Sequence, residues 1–228
     1  MATINSKLIF VTTSPRTPAK LIPEIELLYT YFDGQVWNKE TQENFMLLLK
    51  EENFFNGAGA KDPAFSARDR INRAPKSLGF VLLSPIIALS PAGKELIFSN
   101  RKEEVFLRQM LKFQLPSPYH RPVGSSAKFW VKPYLELFRL IRLFGSLKFD
   151  ELMIFGLQLV DYRQFDNIVC KIEHFRTEKA RDRGNYKKFR VKYLEKELRE
   201  IYRDEILSGN IKTRETSDAS IPKFIKTK

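Results

Sequence analysis

The chain has 228 residues, 43% of them apolar, with a single cysteine and a formal net charge of +12. That length holds one large or two small domains. One thiol excludes an internal disulfide and a Cys-rich zinc site and suits a reducing cytoplasm. The excess of cations directs attention to a polyanion, either nucleic acid or an acidic membrane surface.

In chain order, Leu8 to Thr12 reads as a short strand leading into Ser14-Pro15-Arg16-Thr17-Pro18. Thr17 is placed to cap a helix whose first position is Pro18, and Leu21, Ile25, Leu28 and Phe32 recur at helical spacing. Gly34 closes that region. A second helix is predicted from about Lys39 to Glu52, with Phe45, Leu48 and Leu49 on its buried face, and Asn56-Gly57-Ala58-Gly59 is a loop.

A basic helix comes next, from about Ser66 to Ser77, with Ser66 as its N-cap. It carries Arg68, Arg70, Arg73 and Lys76 against Asp69 alone. Helical projection puts positions 66, 69, 70, 73, 76 and 77 on one side, with Ile71 and Leu78 inward. Gly79-Phe80 ends it. Two β-rich runs, Phe80 to Leu83 and Ile86 to Leu89, flank Ser84-Pro85, and Ser90-Pro91 opens another helix with Ser as cap and Pro at the first position. Helix, hairpin, helix, with cations on the first helix, is the layout of a winged helix-turn-helix, in which the basic helix enters the major groove.

Beyond Arg101 the pattern is helical. Val105 to Phe113 is stopped by Pro116 and Pro118, and Pro116 to Ser126 is a loop. Pro133 to Phe144 reads as a buried helix, apolar almost all round, and further helices are expected over Lys148 to Val160, Phe165 to about Arg181 and Lys187 to about Leu207. The stretch from Tyr134 to Phe144 carries Arg139 and Arg142 and falls short of the ~20 apolar residues that span a bilayer, and the N-terminus has no signal-peptide pattern. After Gly209 the sequence loses periodicity and reads as a linker. The expected fold is mainly α: a winged-helix subdomain over 1–100 with a short hairpin wing, a helical subdomain over 101–208, and a linker over 209–228.

Three clusters carry the candidate chemistry. On the basic helix, arginine can bond guanine in bidentate fashion and asparagine can do so with adenine, which makes Arg68, Arg70, Asn72 and Arg73 candidates for base contacts. Ser14, Arg16 and Lys20 near a helix start, with Lys76, Lys112 and Arg121, are candidates for phosphate contacts. The run from Arg176 to Lys192 adds Arg181, Arg183, Lys187 and Lys188 as followers of the phosphate backbone, which sets affinity rather than sequence choice. Each stretch has a plainer reading as a solvated face with surface ion pairs.

No phosphate-binding Gly-rich loop, no nucleophile elbow and no carboxylate pair with a following Glu-x-Lys is present. Asp161 and Asp166 stand at a helix boundary without strand context. No catalytic residue, metal ligand or cofactor site is read in this chain.

The segments SPRTPAKLIPEIELL (Ser14 to Leu28), FSARDR (Phe65 to Arg70), KSLGFV (Lys76 to Val81) and the LSPAGKEL–VFLRQMLKFQLPSP stretch (Leu89 to Pro118) resemble the N-terminal part of the AlwI family. These are type IIS restriction endonucleases and their site-specific nicking relatives. The resemblance implies a recognition region of winged-helix subdomains that binds a short asymmetric site in double-stranded DNA. It also implies a separate Mg²⁺-dependent nuclease domain or subunit that cuts outside that site and lies beyond this chain. The expected function is thus sequence-specific duplex binding in the cytoplasm. The alternative is a winged-helix scaffold whose basic face binds an acidic protein partner.

Overall fold

A computed structural model of the chain describes residues 7–9, 18–54, 62–117 and 129–209. They are mainly helical, and the sheet among them is two-stranded and antiparallel. The chain divides into two compact units, one comprising Val11–Pro122 and the other Met1–Phe10 with Val123–Lys228.

In the first unit, α1 (Pro18–Phe32) buries Leu21, Ile25, Leu28 and Phe32, the stripe read from the sequence. Its expected cap, Thr17, lies outside the described residues. Helix α2 (Lys39–Glu51) starts where Asn38 Oδ1 accepts the Thr41 N–H at 2.9 Å, and it buries Phe45 and Leu49. Helix α3 (Pro63–Ile71) begins earlier than the sequence suggests. Asp62, not Ser66, is its N-cap, accepting the Phe65 N–H at 2.8 Å, while the Ser66 hydroxyl donates back to the Asp62 carbonyl. Pro63 at the first position supplies the fixed φ that nucleates the turn.

The end of the basic helix also differs. Residues Asn72–Lys76 form a wider π-type turn that contains Pro75. Proline has no N–H to give to the carbonyl one α-turn back, and its ring crowds that carbonyl, so the backbone opens instead of continuing as α-helix. Gly79, at φ +77°, then reverses the chain, and the Phe80 N–H reaches the Pro75 carbonyl at 2.9 Å.

The hairpin is shorter than the two four-residue runs expected. Strands β1 (Val81–Leu82) and β2 (Ala88–Leu89) pair in the register Val81↔Leu89 and Leu82↔Ala88. The turn that follows α1 lies beside it. The Gly34 N–H donates to the Ile87 carbonyl at 2.9 Å, and the Ile87 N–H donates to the Gln35 carbonyl at 2.7 Å. The turn between α1 and α2 is thereby fastened to the hairpin that comes after α3.

Helix α4 (Pro91–Phe98) starts as expected, with Ser90 as cap and Pro91 first. The Ser90 hydroxyl accepts the Gly93 N–H at 3.0 Å and donates to the Gly79 carbonyl at 2.5 Å, so one side chain ties the helix start to the hairpin entrance. Helix α5 (Lys102–Lys112) packs on α4, with Val105 buried and the Phe106 ring stacked on Phe80 at 5.7 Å. That stacking places α5 in the first unit, whereas the sequence groups it with the helices C-terminal to it.

The second unit includes residues 7–9. Leu8 and Ile9 are buried there, the Ile9 N–H meets the Leu157 carbonyl at 2.7 Å, and Lys7 bridges to Glu205 at 2.8 Å. These residues are not in a strand, and the rest of the strand expected through Thr12 lies outside the described residues.

Helix α6 (Pro133–Phe144) has the expected bounds but not the expected burial. Pro133, Glu136 and Leu140 are inside, while Leu135, Phe138 and Ile141 are 37–40% exposed. A short helix at the border of a small unit has too few neighbours to cover both faces. Helix α7 (Phe149–Ile154) stops early at a 3₁₀ turn, Gly156–Gln158, where glycine gives poor support to a continuing helix. Helix α8 (Phe165–Arg181) matches its expected span. The final helix is two pieces, α9 (Tyr186–Ile201) and α10 (Arg203–Leu207), broken at the buried Tyr202. An aromatic core joins α7, α8 and α9: Phe175 lies 5.5 Å from Phe155, 4.9 Å from Tyr193 and 5.6 Å from Phe189. Among the described residues, no helix is long and apolar enough to cross a membrane.

Candidate nucleic-acid interface

The cations of α3 are held by the protein itself. Arg68 donates to Gln42 Oε1 on α2 at 2.9 Å and lies over the Phe65 ring. Arg73 pairs with Asp69 one turn back, and it keeps 41% of its side-chain surface. Arg70 is different in kind. Its guanidinium stands 3.1 Å from the carboxylate of Glu24 on α1, with 14% of the Arg70 side chain and none of the Glu24 side chain exposed. Arg70, expected as a base contact, is turned toward α1. An acid on the buried stripe of α1 draws it inward, where it joins α1 to α3.

Glu24 is the residue that sequence reasoning missed. The signal was present, since position 24 falls between Leu21 and Leu28 on the apolar face of α1. A carboxyl there requires a cation from another element. Burial pushes its pKa up to about 7, against the opposite pull of Arg70 and Lys20.

The other expected contacts of this unit are spread out. Lys20 is exposed at the start of α1, Asn72 and Lys76 are half-buried in the π-type turn, and Lys112 is exposed at the end of α5. Ser14, Arg16 and Arg121 lie outside the described residues.

The second basic run falls in the other unit, at the elbow between α8 and α9. Asn185 caps α9 by accepting the N–H groups of Lys187 and Lys188, at 2.9 and 3.4 Å, and Asp182 accepts the Gly184 N–H at 2.8 Å. The inner side of α9 is anchored to α7, because Asp150 accepts bonds from the Tyr186 hydroxyl and, at 3.0 Å, from Arg190. Burial, together with that bond to Asp150, pushes the Tyr186 hydroxyl up to about 12. Glu151, almost wholly buried, fixes the start of α7. Burial acts to raise its pKa, but Arg176 at 2.7 Å and the Lys148 N–H at 2.8 Å hold it below the usual carboxylate range.

The side chains that face out from this elbow are Arg181, Arg183, Lys187 and Lys188, all exposed. Arg181 and Lys188 line an open groove of about 590 Å³ with Lys192, Gly184, Phe189 and the carboxylates of Glu178 and Asp182. Among the described residues, no group of three or more His, Cys, Asp and Glu stands close enough to hold a metal ion.

No curated protein matches this chain. A family model described as AlwI restriction endonuclease matches residues 76–219, which takes in the hairpin, α4, α5 and every helix of the second unit. The match extends over more than half of the sequence, and the chain belongs to the AlwI restriction endonuclease family.

Proposed function

We propose that this chain is the duplex-DNA recognition portion of a type IIS restriction endonuclease. The Mg²⁺-dependent cutting step is carried by a nuclease domain or subunit outside it. Family membership supports DNA as the partner. The observation that carries the recognition role is the order α1, α2, α3, β1, β2, with the Gly34–Gln35 turn bonded to Ile87 beside the hairpin. We read that order as a winged helix-turn-helix, in which the third helix lies in the major groove while the hairpin rests on the backbone.

In this reading Arg68, Asn72 and Arg73 reach base edges and Lys76 a phosphate. Arg68 and Arg73 are held by partners on the same unit, and a guanidinium oriented in advance loses less freedom when it docks. Arg70 positions the helix instead of touching DNA. Lys20 and Lys112, with Ser14, Arg16 and Arg121, are further phosphate contacts, and Arg181, Arg183, Lys187 and Lys188 follow the backbone.

Selection from a random duplex library by the purified chain tests the reading, with affinities then measured on the selected and scrambled duplexes. Arg68→Ala and Arg73→Ala are each expected to weaken binding to the selected site by roughly 1–3 kcal/mol, while the scrambled duplex changes far less. A library that yields no consensus overturns the reading. So do variants that weaken both duplexes equally.

A further inference from the structure

The sequence places four cations on the basic helix and eight between Arg176 and Lys192, and the structure sorts them further by their partners. On α3 and the π-type turn after it, the guanidinium groups of Arg68, Arg70 and Arg73 are engaged with Gln42, Glu24 and Asp69. At the elbow, none of Arg181, Arg183, Lys187, Lys188 and Lys192 pairs with a carboxylate among the described residues. The two acids that line the same groove are turned to other partners, Glu178 at 3.2 Å from His174 and Asp182 on the Gly184 N–H, and they offset part of its positive charge. Among the described residues, the elbow therefore groups five exposed cations without a direct carboxylate partner at one bend.

The bend is also rigid. Phe189 packs on Phe175 and Tyr193 from below, and Tyr186 and Arg190 are tied to Asp150 on α7. Lys188 and Lys192 stand one turn apart on α9, facing Arg181 at the end of α8 across the groove. The first N–H groups of α9 are taken by Asn185, so the attraction comes from side chains and not from the helix end.

We infer that the α8–α9 elbow is a sequence-independent clamp for the phosphodiester backbone of duplex DNA and that it supplies most of the salt-dependent part of the affinity. The inference rests on the reading that the chain binds duplex DNA. A row of unpaired cations beside a groove complements a row of phosphates, and each phosphate it neutralises releases a counterion. Lysines serve here as point charges without geometric demand, as a contact indifferent to sequence requires.

The test uses the full chain and a labelled duplex of random sequence, with association constants measured across a salt series. In the triple variant Lys187→Gln, Lys188→Gln, Lys192→Gln, all three positions are exposed and the helix-forming propensity is kept. A control variant, Lys50→Gln, Lys94→Gln, Lys132→Gln, removes the same charge from exposed positions elsewhere.

The slope of log K against log salt is expected to fall by about 2 to 3 in the elbow variant, at roughly 0.9 per lost phosphate contact, and to change by less than one in the control. Equal slopes in elbow variant and wild type overturn the clamp while leaving DNA recognition standing. Equal losses in elbow and control variants also overturn it, since net charge then explains the effect. A wild-type chain that binds no duplex at low salt, but retains an acidic protein, removes both the clamp and the function on which it rests.

Discussion

Glu24 and Arg70 show how one side chain changes the meaning of another. By helical projection Arg70 belongs with Asp69 and Arg73 on the outer side of α3, yet a carboxylate on α1 with no exposed surface brings it inside. The pair makes a prediction about pH. Glu24 is raised to about 7 in the fold, so between its ordinary pKa and 7 the folded state holds a proton that the unfolded chain has released. Folding stability from this group is greatest below about pH 4.5, is lost as pH rises toward 7, and is level above that. Glu24→Gln cannot titrate. Its stability relative to wild type is expected to improve between pH 5 and pH 8 by an amount on the order of 2–3 kcal/mol, measured by urea unfolding at each pH. A difference between the two proteins that is flat over this range contradicts the assignment.

At the scale of elements, the hairpin depends on a close approach. A Cβ built on Gly93 would stand 2.0 Å from the backbone oxygen of Phe80, so α4 meets the hairpin at a distance that only glycine allows. Gly93→Ala is expected to lower stability by about 1–3 kcal/mol, because the obstacle is backbone and cannot rotate away. Gly156→Ala in the second unit meets the flexible Leu152 side chain at 2.9 Å and is expected to cost clearly less, as denaturant midpoints of the two variants will compare.

Element starts with a local signature were legible in the sequence. Ser90-Pro91 marked α4, and the stripe Leu21, Ile25, Leu28, Phe32 marked α1. The π-type turn around Pro75 and the breaks at Phe155 and Tyr202 were not legible. Each replaces one helical geometry by a near neighbour, and the periodicity of apolar residues barely changes between them.

At the scale of the whole molecule, the net charge of +12 makes any duplex attractive, selected site or not. Wild-type affinity for a scrambled duplex is expected to fall linearly in log–log form with salt. The selected site is expected to lose a similar factor, because the surplus that distinguishes it comes from base edges and not from phosphates. A flat salt response would place the protein with acidic protein partners instead. The two units each have an aromatic or aliphatic centre of their own, around Phe45 and Phe80 in one and Phe155 and Phe175 in the other.

The sequence by itself determined the mainly helical class, the hairpin between α3 and α4, the positions of most helices and the excess of positive charge. These arise from caps, turn residues and periodicity, which act within a few residues along the chain. The tertiary structure alone decided which cations remain available. Arg70 was drawn inward by an acid on a different helix, Arg68 was oriented by Gln42, and the exposed face of α6 was left uncovered by its own unit. Charge pairing and burial depend on what lies across space, and no local pattern records whether a distant carboxylate will arrive opposite a given arginine.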